Sequence, residues 1–219
     1  MRAYHGKVIP TKLEEMIKPE QTALIVVDVQ NDFCIGEGKT LCPEMISHLN
    51  ALLLSARRNG VIIVYIQDTI LQDRLSDSAP WIRHYMVGLN TDDPNIITEG
   101  AIEGSWGHMI VDEIKPKDND LKILKYRSSA FYGTPLDMIL RSNNITTTII
   151  TGVVTYGCVE STARDASNQY FVIVPEDCVW AGNKQLHEAN LIIMKHRYDV
   201  VKSHEIVEIW DKQITIDKS

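Results

Sequence analysis

The stretch Thr151-Gly152-Val153-Val154-Thr155-Tyr156-Gly157-Cys158-Val159-Glu160-Ser161-Thr162-Ala163-Arg164-Asp165-Ala166 decides how this chain is read. It continues an apolar run, Ile145 to Thr151, and breaks at a glycine and a short polar turn. Val159, Ala163 and Ala166 then recur on one helical face, which predicts a helix over Cys158–Gln169. Strand, turn and helix in that order put a thiol at a helix start, just past a strand end. A helix N-terminus stabilises a thiolate and presents free backbone N–H groups to an anion. One short segment can thus supply a nucleophile and an oxyanion hole.

Outward from this segment the same alternation repeats. Thr22 to Asp28 is a continuous apolar run ending in an acid, and Val61 to Ile66 is a second run of the kind that suits a strand covered on both faces. Leu121–Tyr126, Tyr170–Val174 and the short Val200-Val201 complete the expected strands. Helices are predicted over Pro43–Asn59, His108–Ile114, Pro135–Arg141, Asn183–Lys195 and His204–Trp210. Residues 68–106 lack periodicity and read as loops with short helical pieces, and long loops are often functional. Strands alternating with helices predict a single-domain three-layer α/β/α fold with a parallel sheet. Residues 1–20 read as an N-terminal arm and residues 21–219 as the domain.

The 219 residues, 44% hydrophobic and 23% charged, suit one soluble domain. A formal net charge of −7 argues against nucleic acid or an anionic membrane as partner, since both need a basic face. The N-terminus lacks the apolar core of a signal peptide, and no apolar run approaches the ~18 residues of a membrane span. Cys34, Cys42, Cys158 and Cys178 show no paired spacing, so a reducing cytoplasm is expected. Neither a dinucleotide fingerprint nor a Walker sequence is present, and no cofactor is expected. His204-Glu205-Ile206-Val207-Glu208 lacks the second histidine of a zinc helix.

In open parallel sheets the ligand sits outside the carboxyl ends of the strands. Asp28, Lys125 and Cys158 all fall at such ends. Lys125 can stabilise a thiolate by charge, and Asp28 can take the thiol proton and return it to a leaving amine. Taken singly, Asp28 reads as a turn acid and Lys125 as a solvated charge. Cys158 alone is as readily a small buried hydrophobe. Their joint placement favours catalysis.

Val26-Val27-Asp28-Val29-Gln30-Asn31-Asp32-Phe33, Lys125-Tyr126-Arg127-Ser128-Ser129-Ala130-Phe131 with Thr134-Pro135-Leu136-Asp137, and Thr151 to Ala166 resemble three ordered motifs of the isochorismatase-like cysteine hydrolases. The likeness runs from about Thr22 to Asp199. It implies a six-stranded parallel Rossmann-like sheet and a catalytic triad of Asp28, Lys125 and Cys158. It also implies a non-proline cis peptide at Val153–Val154, which aims the Val154 N–H into an oxyanion hole beside that of Cys158. Family members commonly form dimers or tetramers, so a homodimer or homotetramer is expected.

Nicotinamidases of that family carry a metal-binding Asp-x-His after the second strand. Here Asp68-Thr69-Ile70 lacks the histidine, which implies no metal. The cysteine implies an amide or carbamoyl substrate, and the details look most similar to the ureidoacrylate, biuret and N-carbamoylsarcosine amidohydrolase branches. Phe33, Trp106, Phe131 and Tyr156 are the expected pocket walls. The alternatives are an isochorismatase-type vinyl-ether hydrolase, a nicotinamidase-like amidase and a non-catalytic small-molecule binder.

Overall fold

The structure, a computed structural model, describes residues 1–96 and 100–216. Its central sheet contains β1 (Thr22–Val27), β2 (Ile62–Asp68), β3 (Leu121–Lys125), β4 (Thr147–Val153), β5 (Phe171–Pro175), β6 (Val179–Trp180) and β7 (Asp199–Val201). The order is β7-β5-β4-β1-β2-β3, every pairing is parallel, and β6 pairs with the end of β4. Six strands form the continuous path that was expected. The seventh, β6, is two residues long, too short to stand out in a sequence. The chain winds from β1 to β3 on one side, then returns to add β4, β5 and β7 on the other. The winding therefore reverses between β1 and β4, where a crevice opens at the carboxyl ends.

The uninterrupted apolar runs are explained by cover on both faces. Leu24 and Val26 of β1 point to one core, with Leu49, Leu52 and Leu53 of α1 (Pro43–Arg58) and the fully buried Trp210. Ala23, Ile25 and Val27 point to the other, with Leu136 and Leu140 of α3 (Leu136–Ser142), Ala163 and Ala166 of α4 (Glu160–Ala166) and Met194 of α5 (Lys184–Lys195). Each Leu- or Ile-sized side chain so buried contributes about 1.5–3 kcal/mol. α1 begins with Pro43, carries Arg57 and Arg58 in its last turn, and stops before Gly60, whose φ is 71°. α6 (Ser203–Ile216) delivers Trp210, whose Nε1 donates to the Ile17 carbonyl at 2.7 Å. Among the described residues no helix is long and apolar enough to cross a membrane.

Three local expectations are corrected. The helix expected over His108–Ile114 is a single 3₁₀ turn, Asp112–Ile114. Backbone groups before it are used elsewhere: the Met109 carbonyl accepts from Asn31 N, and Val111 N donates to Val29. The helix expected from Cys158 starts regularly only at Glu160, behind a wide turn at Thr155–Val159 broken by Gly157 (φ −117°, ψ −106°). Within 68–106 lies a ten-residue helix, α2 (Ala79–Gly88), capped by Ser78 Oγ accepting from Trp81 N.

Candidate active site

Four strand ends converge on the crevice. β1 leads into Asp28, β2 ends in Asp68, β3 ends in Lys125, and β4 runs through Gly152 and Val153 to the turn that carries Cys158. Gly152 permits this approach. Its φ is 108°, and a Cβ there would stand 2.0 Å from the Val27 carbonyl oxygen. Any side chain would drive β4 from β1, and with it Cys158 from Asp28.

Lys125 is the hub. It is fully buried, and its Nζ lies 2.9 Å from Asp28 Oδ2 and 2.8 Å from Asp68 Oδ1. The same ammonium donates to Cys158 Sγ at 3.3 Å. A buried ammonium is costly unless paired, and here two carboxylates pair it. Asp28 Oδ1 is buried and has no hydrogen-bond partner among the described residues. Gln30 fixes the end of β2: its Oε1 accepts from Asp68 N at 2.8 Å, and its Nε2 donates to the Asp68 carbonyl at 3.0 Å.

Burial pushes the Asp28 carboxyl up to about 7, and the charge of Asp68 adds to this against the pull of Lys125. Burial likewise raises the Cys158 thiol well above its ordinary value, although Lys125 pulls it down. For Lys125 burial disfavours the charge, but Asp28, Cys158 and Asp68 outweigh it and hold the ammonium well above its usual range. The resting state at neutral pH is thus a thiol beside a permanent cation and a carboxyl poised to exchange a proton.

The turn after β4 carries a cis peptide at Val153–Val154. Thr155, fully buried, places its Oγ1 2.8 Å from His187 Nδ1 of α5, which ties the turn to the helix layer. Above the sulfur opens a cavity of about 450 Å³. Asp28, Cys158, Val153, Val154, Phe33 and Tyr156 lie on its sheet side, and Trp81, His84, Tyr85 and Leu89 wall it from α2 and its end.

The structure thus brings together Asp28, Lys125, Cys158, Val153, Val154, Phe33 and Tyr156. Two expected wall residues lie elsewhere. Trp106 is 61% exposed and outside the cavity lining; its turn presents the backbone carbonyl, which accepts from Asn31 Nδ2 at 2.9 Å. Phe131 turns to the helix-covered core and stacks on Tyr170 with centroids 6.0 Å apart. Asp68, Trp81 and Tyr85 also line the cavity, beyond the residues expected from the sequence. Asp68 ends a buried strand as Asp28 does, and Ser78-Ala79-Pro80 is a helix-start signal ahead of Trp81, Ile82 and Tyr85. Asp68 is engaged by Lys125, and among the described residues no group of three His, Cys, Asp or Glu side chains could hold a metal ion.

The model of the isochorismatase domain matches residues 22–206. The chain belongs to the isochorismatase family. Within that family it is 33% identical over 201 residues to a ureidoacrylate amidohydrolase RutB of Methylobacterium radiotolerans, covering 85% of this chain and 78% of the relative. A cysteine hydrolase from Pseudomonas syringae pv. phaseolicola shares the fold, with a TM-score of 0.76 at 24% identity over 90% of this chain and 95% of that one. N-carbamoylsarcosine amidase from Thermoplasma acidophilum superposes with a TM-score of 0.68 at 30% identity, covering 84% and 96%. The protein is accordingly an isochorismatase-family hydrolase.

Proposed function

We propose that the protein is a metal-free cysteine amidohydrolase that cleaves a small amide or ureido C–N bond through a covalent thioester-type intermediate. The observation that carries this reading is Lys125 Nζ, 3.3 Å from Cys158 Sγ and 2.9 Å from Asp28, buried beneath the cavity that Asp28 and Cys158 line. The similarity to amidohydrolases named for ureidoacrylate and N-carbamoylsarcosine supports a carbamoyl head group.

Asp28 takes the proton of the Cys158 thiol as the sulfur attacks the carbonyl carbon. Lys125 stabilises the thiolate as it forms. The oxyanion is held by the N–H groups of Val154 and Cys158, an interaction whose removal costs about 3–4 kcal/mol in other hydrolases. The C–N bond breaks as Asp28 protonates the leaving nitrogen, giving ammonia or an amine and an S-acyl enzyme. Asp28 then takes a proton from water, which attacks the same carbon. Release of the acid regenerates the thiol with that proton, and the cycle closes. Family likeness supports a cytoplasmic homodimer or homotetramer, which sedimentation velocity would read directly.

The test is ammonia release from a panel holding ureidoacrylate, biuret, N-carbamoylsarcosine, nicotinamide and simple amides. Release from at least one member is expected. A folded protein that releases ammonia from none, but forms a keto-acid product from isochorismate, would replace the amidohydrolase with an ether hydrolase.

A further inference from the structure

The cavity over Cys158 has a neighbour. Phe33, Asp68, Trp81, Tyr85 and Leu89 also line a second chamber of about 210 Å³, beside the one of about 450 Å³ that holds the sulfur. A water molecule takes roughly 30 Å³ of the liquid, and a carbamoyl head of four heavy atoms only a few times that. Most of the space therefore belongs to the rest of the substrate.

The charges on this wall are already matched. In the second chamber Asp77 Oδ2 pairs with Arg74 Nε at 2.6 Å, and Asp32 Oδ2 accepts from Ala101 N at 2.7 Å. Asp68 Oδ1 is held by Lys125 at 2.8 Å. Among the described residues of the lining Arg74 is the one cation, held by Asp77, and Arg127, 5.3 Å over the Trp81 ring, donates to the Tyr126 and Ser76 carbonyls, so an entering carboxylate would have to take a cation from partners it already has. An entering ammonium would have to displace Arg74, Ala101 N or Lys125 from these acids. His84, at the outer chamber, is exposed and stacked on Trp81 with centroids 5.4 Å apart. What the wall offers freely is aromatic and aliphatic surface.

We infer that the substrate carries an uncharged aromatic or branched apolar substituent on its amide or ureido head, seated against Phe33, Trp81, Tyr85 and Leu89. This rests on the amidohydrolase reading above and narrows it. Ureidoacrylate, which bears a carboxylate, falls outside the class.

Three ureas test this with the full-length enzyme at pH 8: benzylurea, 4-carboxybenzylurea and ureidoacrylate. Benzylurea is expected to release ammonia with kcat/KM at least tenfold above either acid. Leu89→Lys, at a half-exposed position, should shrink that preference at least tenfold by giving the carboxylate a partner. An acid hydrolysed as well as benzylurea overturns the inference and leaves the amidohydrolase standing. Ammonia from no urea counts against the amidohydrolase, and occupancy then decides the inference. Benzylurea protecting Cys158 from iodoacetamide at tenfold lower concentration than its 4-carboxy analogue upholds it, and equal or weaker protection overturns it.

Discussion

Asp68 and Lys125 are register partners on adjacent strands, and Asp68 Oδ1 lies 2.8 Å from Lys125 Nζ. Asp28 holds the same ammonium at 2.9 Å. Two carboxylates on one cation leave the cluster with one negative charge, and a thiolate would add another. The proton leaving Cys158 therefore belongs on Asp28, whose carboxyl burial has already raised to about 7. Asp68 keeps Lys125 charged and keeps Asp28 basic.

Asp68→Asn removes one of the charges that hold Asp28 up. The limb of the kcat/KM–pH profile set by Asp28 should move to lower pH, with reduced activity at neutral pH. A profile that falls in height but keeps its limbs would assign Asp68 a structural part alone.

Asp28 also predicts a pH dependence of stability. Its folded value of about 7 stands above the ordinary 3.8, so the folded chain keeps a proton that the unfolded chain releases between them. That contribution is full below about pH 4 and is lost as pH rises through about 7. Urea unfolding of the native chain against Asp28→Asn should show the native chain losing relative stability across this window, by up to about 1.4 kcal/mol per pH unit. A constant difference from pH 4 to 8 would contradict it.

Lys125→Met tests the electrostatic role on the thiol. It removes the cation 3.3 Å from Cys158 Sγ and leaves two buried carboxylates without it. Iodoacetamide should modify Cys158 more slowly at neutral pH, and the fold should lose about 3–5 kcal/mol. An unchanged alkylation rate in a folded variant would remove Lys125 from thiolate stabilisation.

The sheet and the acid–lysine–thiol set were legible because their signals are local. An apolar run such as Thr22 to Val27 can only be a strand with two covered faces, and the residue following it must emerge at the sheet edge. Asp28 and Lys125 follow from that rule. The side-chain directions of Trp106 and Phe131 do not, because loops set them through distant partners: Asn31 claims the Trp106 carbonyl, and Tyr170 claims the Phe131 ring. Asp68 is not legible in the same way, because only the register of two strands far apart in sequence sets it beside Lys125. The helix carrying Trp81 and Tyr85 has no fully buried side chain, so it lacks a clean apolar stripe even though its start is marked.

The two tryptophans should therefore separate. Trp81→Ala, in the cavity wall, should raise KM by about tenfold, the equivalent of about 1.4 kcal/mol. Trp106→Ala, 61% exposed, should leave KM within about twofold. Steady-state kinetics on any turned-over substrate settles this, and a larger effect at Trp106 would place it at the substrate after all.

Gly152→Ala places a Cβ 2.0 Å from the Val27 carbonyl at a φ of 108°. Thermal unfolding should show a loss of at least about 2 kcal/mol, with activity falling as Cys158 is displaced from Asp28. Native stability with this substitution would mean that β1 and β4 do not meet as described.

The nucleophilic role of Cys158 is tested most directly by turnover of Cys158→Ala on whichever amide or ureide the native chain hydrolyses. Ammonia release is expected at the uncatalysed background, with a native circular-dichroism spectrum and unfolding midpoint. Ammonia release at the native rate from that folded variant would contradict it.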